Sequence, residues 1–211
     1  MSATLASAAG KDADLRAAMR GRRIEAIVIG ASAGGVEALV ALLPALPDYF
    51  ALPVFCILHL PGDRESRLAE LFDDRLPLPV REAADKESIA PGTVYFAGSG
   101  YHLSVEKDRT FSLSCEPPIH FARPAIDVLM DSAADAYGPG LAGILLTGAN
   151  HDGADGMARI RACGGFTVVQ DPDDAQVPTM PRRAIDVCRP HLILPLPRIG
   201  ALLPMLEMNE P

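Results

Sequence analysis

Short apolar runs alternate with amphipathic segments along most of the chain, and the runs end at glycine, proline or polar residues. Short runs rich in β-branched residues are typical of buried strands, whereas apolar positions three or four residues apart are typical of helices. The central strands predicted in this way cover residues 24–29, 53–58, 141–146, 166–170 and 192–194. The predicted helices cover residues 36–43, 64–72, 123–136, 181–187 and 196–208. This alternation predicts an α/β fold, a doubly wound and mainly parallel sheet with helices on both faces.

The pattern changes after about residue 78, where shorter runs follow one another. Residues 102–105 and 110–114 flank the polar segment Lys107-Asp108-Arg109. Two short runs around a polar turn predict a small antiparallel hairpin added to the main sheet. The two histidines in this region, His102 and His120, are interpreted as surface or turn residues rather than ligands.

The first 23 residues are rich in alanine and end with several arginines. They carry no recognisable chemistry, and we interpret residues 1–23 as a loose helix or a disordered tail. Residues 24–208 contain no internal repeat and no long linker, so we predict that they form one domain.

Charge and cysteine spacing exclude several classes of function. A net charge of −8 argues against nucleic acid or an anionic membrane surface as the main partner. No apolar run reaches transmembrane length, and the N-terminus has no signal-peptide pattern. Because no C-x-x-C spacing occurs and no histidine is placed to complete a zinc site, we expect neither a metal nor a cofactor. The cysteines are interpreted as buried, reduced thiols of a cytoplasmic protein: Cys56, Cys115, Cys163 and Cys188.

A turn of small residues, Gly30 to Gly35, joins the first strand to the first helix. A dinucleotide-binding G-x-G-x-x-G motif would need glycine where Ser32 stands, and a phosphate-binding loop would need a lysine that this turn lacks. The segment does match G-x-S-x-G, in which a serine projects from a sharp strand-to-helix turn. On this turn alone, Ser32 is equally well interpreted as a nucleophile or as a cap of the helix.

Three polar residues follow the carboxyl ends of predicted central strands: Ser32, His59 and Asp152. Because the ends of parallel strands meet at one edge of a sheet, we expect these side chains to lie close together. A serine nucleophile needs an imidazole base, and a carboxylate orients that base. The N–H groups of Ala33 and Gly34, at the start of the helix, would stabilise an oxyanion.

The order of the three residues along the chain, Ser, His, Asp, differs from the order in α/β-hydrolases, so the G-x-S-x-G match does not indicate that fold. Two other groups of polar residues have alternative interpretations. A metal site made of His151, Asp152 and Asp155 lacks a usual ligand spacing. The aspartates spaced four apart on one predicted helix are interpreted as a solvated face: Asp127, Asp131 and Asp135.

Several blocks together resemble the catalytic domain of CheB-type protein-glutamate methylesterases. They are, in order, IGASAGGVEAL, ILHLPG, GTVYFAGSGYHL, RPAIDVLMDSAA, GILLTGANHDGADGM and MPRRAI, and they span residues 24 to about 194. The resemblance implies a cytoplasmic enzyme that hydrolyses glutamyl γ-methyl esters on chemoreceptors and in some cases deamidates glutamines there. It also implies that Ser32, His59 and Asp152 form the triad. On this basis we expect Ala149 to contribute to the oxyanion site. Arg123 is interpreted either as a residue that engages the acidic helices of the receptor or as a surface charge at the start of the predicted helix.

The sequence departs from the family pattern near the site. Ala33 stands in place of a threonine, and Ala149-Asn150-His151 stand in place of methionine, glycine and asparagine. The loop Pro61-Gly62-Asp63-Arg64 is shorter and more charged than usual. We therefore expect an intact triad with an altered substrate surface. Because few residues precede residue 24, we also expect no N-terminal receiver domain, and regulation through a separate protein is an option.

Two other classes of function remain open. One is a binding or scaffold module that keeps the fold but has weak or altered hydrolase activity, and the changes at Ala33 and Ala149 favour it weakly. The other is a nucleotide-binding domain, which only the glycine turn supports.

Overall fold

The computed structural model describes residues 13–59 and 66–207. Seven parallel strands form its central sheet, and two further strands form a separate antiparallel hairpin. In chain order the strands are β1 (Ala26–Ala31), β2 (Val54–Leu58), β3 (Val80–Glu82), β4 (Val94–Phe96), β5 (His102–Val105), β6 (Phe111–Ser114), β7 (Leu141–Leu145), β8 (Phe166–Gln170) and β9 (Leu192–Leu194). The order across the main sheet is β3-β4-β2-β1-β7-β8-β9, and β5 pairs with β6.

Seven helices in the described residues cover the two faces of the sheet. They are α1 (residues 13–19), α2 (Gly35–Leu42), α3 (Leu68–Asp73), α4 (Ile126–Tyr137), α5 (Ala154–Ala162), α6 (Thr179–Cys188) and α7 (Leu196–Leu202). Apolar residues of α1, α2, α3 and α7 join one buried cluster, while those of α4, α5, α6 and the hairpin join the other. The predicted α/β class, with helices on both faces and a small hairpin, is confirmed.

The central strands are apolar at consecutive positions because both of their faces are buried. In β1, Ile27 and Ile29 point into one cluster, and Ala26 and Val28 point into the other. A parallel sheet covered on both sides favours such continuous apolar runs. The hydrophobic pattern therefore located the strands well, and β8 and β9 have the predicted boundaries.

The N-terminal segment is partly ordered onto the domain. Residues 13–19 form α1, and Leu15 and Met19, which lie one helical turn apart, are buried against the domain. Residues 1–12 of the predicted tail lie outside the described residues, as does the charged loop 61–64.

The boundaries of two helices differ from those predicted from the sequence. Helix α4 begins at Ile126 rather than at Arg123, because Ala125 is extended and Pro124 lies before the helix. Helix α7 ends at Leu202 and continues as a 3₁₀ turn to Leu206. The predicted end of that helix, residue 208, is not among the described residues.

Two predictions about burial are wrong. Cys56 and Cys188 are buried, but Cys163 is half-buried and Cys115 is exposed, so the four cysteines do not share one environment. His102 is not a surface residue, since it is almost completely buried. Its Nδ1 accepts a hydrogen bond from the N–H of Ala125 and its Nε2 donates to the carbonyl of Pro117, which ties the hairpin to the start of α4. No helix in the described part of the chain is long and apolar enough to span a membrane.

Candidate active site

The site lies where the chain reverses the direction in which it adds strands to the sheet. Strand β1 is central, with β2 on one side and β7 on the other. Ser32 follows β1, His59 follows β2, and Asp152 lies in the turn after β7. Crevices at such switch points, beyond the carboxyl ends of the strands, hold the ligands of open α/β sheets. The structure thus brings the three predicted side chains together.

Two backbone hydrogen bonds hold Ser32 in the turn after β1. The N–H of Ser32 donates to the carbonyl of Thr147 at 3.0 Å, and the Ser32 carbonyl accepts from the N–H of Gly35 at 2.8 Å. Gly34 has φ +77°, a left-handed conformation that glycine adopts without strain. A Cβ at Gly34 would also overlap the side chain of Gln176, which leaves no space for another residue there.

His59 bridges the other two side chains with its two ring nitrogens. Its Nδ1 lies 3.1 Å from Ser32 Oγ, and its Nε2 lies 2.6 Å from Asp152 Oδ2. Because an ionised carboxylate only accepts hydrogen bonds, Nε2 carries the proton and donates to Asp152. The lone pair of Nδ1 is then available to accept the hydroxyl hydrogen of Ser32. This is the arrangement that a general base needs.

Asp152 is completely buried, and both of its carboxylate oxygens accept backbone hydrogen bonds from α4. The N–H of Ile126 donates to Oδ2 at 2.7 Å, and the N–H of Asp127 donates to Oδ1 at 2.9 Å. Burial by itself raises the pKa of this carboxyl. The hydrogen bond from His59 and the two N–H groups outweigh burial, so the pKa of Asp152 lies below its usual value. The sequence pattern did not indicate that the start of α4 holds this carboxylate.

The backbone groups predicted to bind an oxyanion lie on both sides of Ser32. Ala33 is exposed and Gly34 half-buried in the turn after β1, and Ala149 is exposed in the turn after β7. Thr147 Oγ1 joins the two turns, because it donates to the Ala33 carbonyl at 2.9 Å. None of the described residues accepts a hydrogen bond from the N–H of Ala33, Gly34 or Ala149.

The interpretation of Asp127, Asp131 and Asp135 as a solvated face is wrong for the first of them. Asp131 and Asp135 are exposed and pair with Arg159. Asp127 is half-buried, and its Oδ1 accepts from the N–H of Gly156 at 2.7 Å. Burial, together with the charges of Asp152 and Asp155, raises the pKa of Asp127 to about 7, although the Gly156 hydrogen bond opposes the shift.

One group of side chains near the site has the spacing of metal ligands. Ligand atoms of His120, Asp127 and Asp155 lie within 4.8 Å of one another. His120 and Asp155 are exposed, and His120 Nε2 lies 3.5 Å from Asp127 Oδ2. The other trio, His151, Asp152 and Asp155, is unsuited to a metal because both oxygens of Asp152 are engaged by α4 and His59.

Arg123 lies in the loop that leads into α4. Its Nη1 donates to the carbonyls of Cys115 and Glu116, both at 3.0 Å, so part of its guanidinium holds this loop. The adjoining turn is closed by two backbone hydrogen bonds between Ile119 and Ala122, and it presents Phe121 fully exposed.

Asn150 is a polar residue of the site to which the sequence pattern gave no role. Its Oδ1 accepts from the N–H of Asp152 at 3.1 Å, and its Nδ2 lies 3.4 Å from His59 Nδ1. The only indication in the sequence was that Asn150 stands where the resembled family has glycine.

The chain is similar to known proteins over most of its length. Residues 27–203 match the sequence model of the CheB methylesterase family. A Leptospira interrogans protein, named as a candidate protein-glutamate methylesterase/protein-glutamine glutaminase, is 42% identical over 186 residues, which cover 88% of this chain and 96% of that protein. Protein-glutamate methylesterase/protein-glutamine glutaminase 1 of Anaeromyxobacter dehalogenans is 41% identical over 88% of this chain and 54% of its own length.

Two further comparisons extend the match. Protein-glutamate methylesterase FrzG of Myxococcus xanthus is 38% identical over 84% of this chain and 53% of its own length. The chain thus spans nearly all of the Leptospira relative but about half of the other two. The crystal structure of the Thermotoga maritima CheB methylesterase catalytic domain superimposes with a TM-score of 0.81 at 31% identity, covering 88% of this chain and 99% of that one.

Proposed function

This chain belongs to the CheB methylesterase family, and we propose that Ser32, His59 and Asp152 perform the hydrolysis of glutamyl γ-methyl esters. The observation that carries the assignment is the continuous hydrogen-bonded series from Ser32 Oγ through the imidazole of His59 to the buried carboxylate of Asp152. In this series the carboxylate of Asp152 holds the proton on His59 Nε2, which leaves Nδ1 to accept a hydrogen bond from Ser32 Oγ.

The first half of the reaction transfers the acyl group to Ser32. Nδ1 of His59 takes the hydroxyl proton while Oγ attacks the ester carbonyl, which forms a tetrahedral intermediate. Asp152 stabilises the imidazolium, and it does so as an anion because its pKa is low. The proton on Nδ1 then passes to the methoxy oxygen, the C–O bond breaks, and methanol leaves.

Backbone N–H groups would carry the charge of the tetrahedral intermediate. The groups of Ala33 and Gly34 lie at the start of α2, where the helix dipole favours negative charge, and the N–H of Ala149, in the turn after β7, is a third donor that we assign to the charge. Because these donors belong to the backbone, replacement of the usual threonine by Ala33 leaves them in place. Water then attacks the acyl-enzyme with His59 again as base, and glutamate is released.

The substrates would be methylated glutamates on receptor-type helices of chemotaxis systems, in the cytoplasm. The names of the Leptospira and Anaeromyxobacter relatives include protein-glutamine glutaminase, so deamidation of glutamines is a second activity that we propose for the same site. We assign to Arg123 a contact with acidic residues of the substrate, through the part of its guanidinium that does not hold the loop.

Methanol release from a methylated receptor cytoplasmic fragment tests the proposal. We expect release by the wild-type protein and none by Ser32→Ala. A fluorophosphonate probe, applied to both proteins, measures the reactivity of Ser32 independently of the substrate. Release by Ser32→Ala at the wild-type rate would refute the nucleophile assignment. Absence of both release and labelling in the wild type would instead favour a scaffold without turnover.

A further inference from the structure

The carboxamide of Asn150 is held in one orientation beside the catalytic base. Its Oδ1 accepts from the N–H of Asp152 at 3.1 Å, so the oxygen is turned toward the backbone of the triad. Its NH₂ group consequently faces His59, with Nδ2 3.4 Å from Nδ1. That distance is long for a hydrogen bond between these atoms. The NH₂ group therefore points toward Nδ1 of His59 and is still able to donate to another acceptor nearby.

The same nitrogen of His59 must reach the leaving group. When the tetrahedral intermediate on Ser32 collapses, the proton taken by Nδ1 passes to the leaving atom, which has to lie within about 3 Å of Nδ1. Asn150 Nδ2 is adjacent to that position. Because Oδ1 is turned toward the N–H of Asp152, the side of Asn150 that faces His59 offers only hydrogen-bond donors to the leaving group.

We propose that Asn150 is a specificity-determining residue, whose donor favours ester substrates over glutamine amides. This inference rests on the proposed function of the site. In the intermediate formed from a methyl ester, the leaving oxygen has two lone pairs. One receives the proton from Nδ1 as the C–O bond breaks to give methanol, and the other accepts from Nδ2 of Asn150.

The intermediate formed from glutamine has no group that matches this donor. Its leaving nitrogen has one lone pair, which receives the proton from Nδ1 as the C–N bond breaks to give ammonia. The leaving nitrogen then has only N–H bonds to present to the NH₂ of Asn150. Both groups are hydrogen-bond donors, so neither provides an acceptor for the other. A buried donor without an acceptor is costly, and sites built around one hydrogen-bond partner discriminate strongly against a substrate that lacks it.

The test compares one receptor cytoplasmic fragment carrying, at the same position, either a glutamyl γ-methyl ester or glutamine. The ratio of kcat/KM for methanol release to kcat/KM for ammonia release is measured for each protein. Because both reactions use the same serine and histidine, general damage to the triad cancels in this ratio. The variants are Asn150→Asp, which keeps an oxygen for the Asp152 N–H but loses the donor, and Asn150→Gly. The matched control is His151→Asn, an exposed neighbour in the same turn.

We expect the ratio of ester to amide hydrolysis to fall about tenfold in Asn150→Asp and Asn150→Gly, and to stay unchanged in His151→Asn. If wild-type ammonia release is below detection, its appearance in Asn150→Asp is the expected result and its absence contradicts the inference. A ratio within twofold of wild type in Asn150→Asp also overturns it, even where both rates fall. If Asn150→Gly does not fold, the ratio measured for Asn150→Asp is sufficient to test the inference. Failure of the wild type to release methanol through Ser32 would instead refute the proposed function itself.

Discussion

Gly30 in β1 lies directly against Ile126, the first residue of α4. A Cβ at Gly30 would stand 2.6 Å from Ile126 Cγ2 and 3.0 Å from Leu145 Cδ1. This close approach places the first N–H groups of α4 over the end of β1, where they hold the carboxylate of Asp152. The geometry of the site therefore requires glycine at position 30 of the central strand.

Gly30→Ala should displace the start of α4. We expect a loss of about 1–3 kcal/mol in the free energy of unfolding, typical of overpacking, and a fall in kcat/KM of about tenfold or more because Asp152 moves. Urea denaturation and methanol release measure the two effects. Gly200→Ala is the control, since a Cβ there meets no atom closer than 3.8 Å. Wild-type kcat/KM in Gly30→Ala would show that the contact does not position the site.

Asp152→Asn should remove the charge that orients and stabilises the imidazolium. We expect kcat to fall by about 10³–10⁴-fold, as for a triad aspartate. Asp131→Asn makes the same change on the exposed face of α4 and should leave kcat unchanged. A fall of less than tenfold in Asp152→Asn would mean that His59 does not depend on this carboxylate.

The raised pKa of Asp127 should make stability depend on pH. Its pKa is about 7 in the folded protein and about 4 in the unfolded chain, so the folded state binds the extra proton between these values. The contribution of this group to the free energy of unfolding is therefore greatest below pH 4 and falls until about pH 7.

Asp127→Asn removes this dependence and keeps an oxygen for the N–H of Gly156. The difference in unfolding free energy between variant and wild type should favour the variant by about 1–3 kcal/mol more at pH 8 than at pH 4. Urea titrations at the two pH values measure it. Asp131→Asn, on the exposed face of the same helix, is the control for the loss of a carboxylate from α4. A difference for Asp127→Asn that does not change with pH would contradict the raised pKa.

The cysteines should differ in reactivity according to their burial. Cys115 is exposed, whereas Cys56 and Cys188 are buried, and burial raises the pKa of both buried thiols. Iodoacetamide should therefore label Cys115 within minutes in the native protein and leave Cys56 and Cys188 unmodified until urea is added. Peptide mass spectrometry gives the sites, with Cys115→Ser as control. Rapid native labelling of Cys56 would contradict its burial.

Local patterns along the chain were sufficient for the architecture and for much of the site. Continuous apolar runs indicated the buried strands, and β8 and β9 were located to the residue. Ser32 and His59 directly follow strands β1 and β2, so the geometry of a parallel sheet predicted that they would lie close to each other. Asp152 could be included because its turn follows β7, the other neighbour of β1.

Contacts between distant segments decided the remaining features. The spacing of Asp127, Asp131 and Asp135 puts them on one side of a helix, but it cannot reveal that the three differ in burial. Gly156 of α5 donates to the half-buried Asp127, whereas the other two are exposed and pair with Arg159 of α5. His102 is polar and was interpreted as exposed, yet it is buried because Ala125 and Pro117 satisfy both ring nitrogens. The orientation of Asn150 depends on the N–H of Asp152 and on His59, which is 91 residues away. The spacing of apolar residues along the chain predicts which side of each segment is buried in the core. The burial of a polar side chain depends on hydrogen-bond partners from distant segments, which only the folded chain brings close to it.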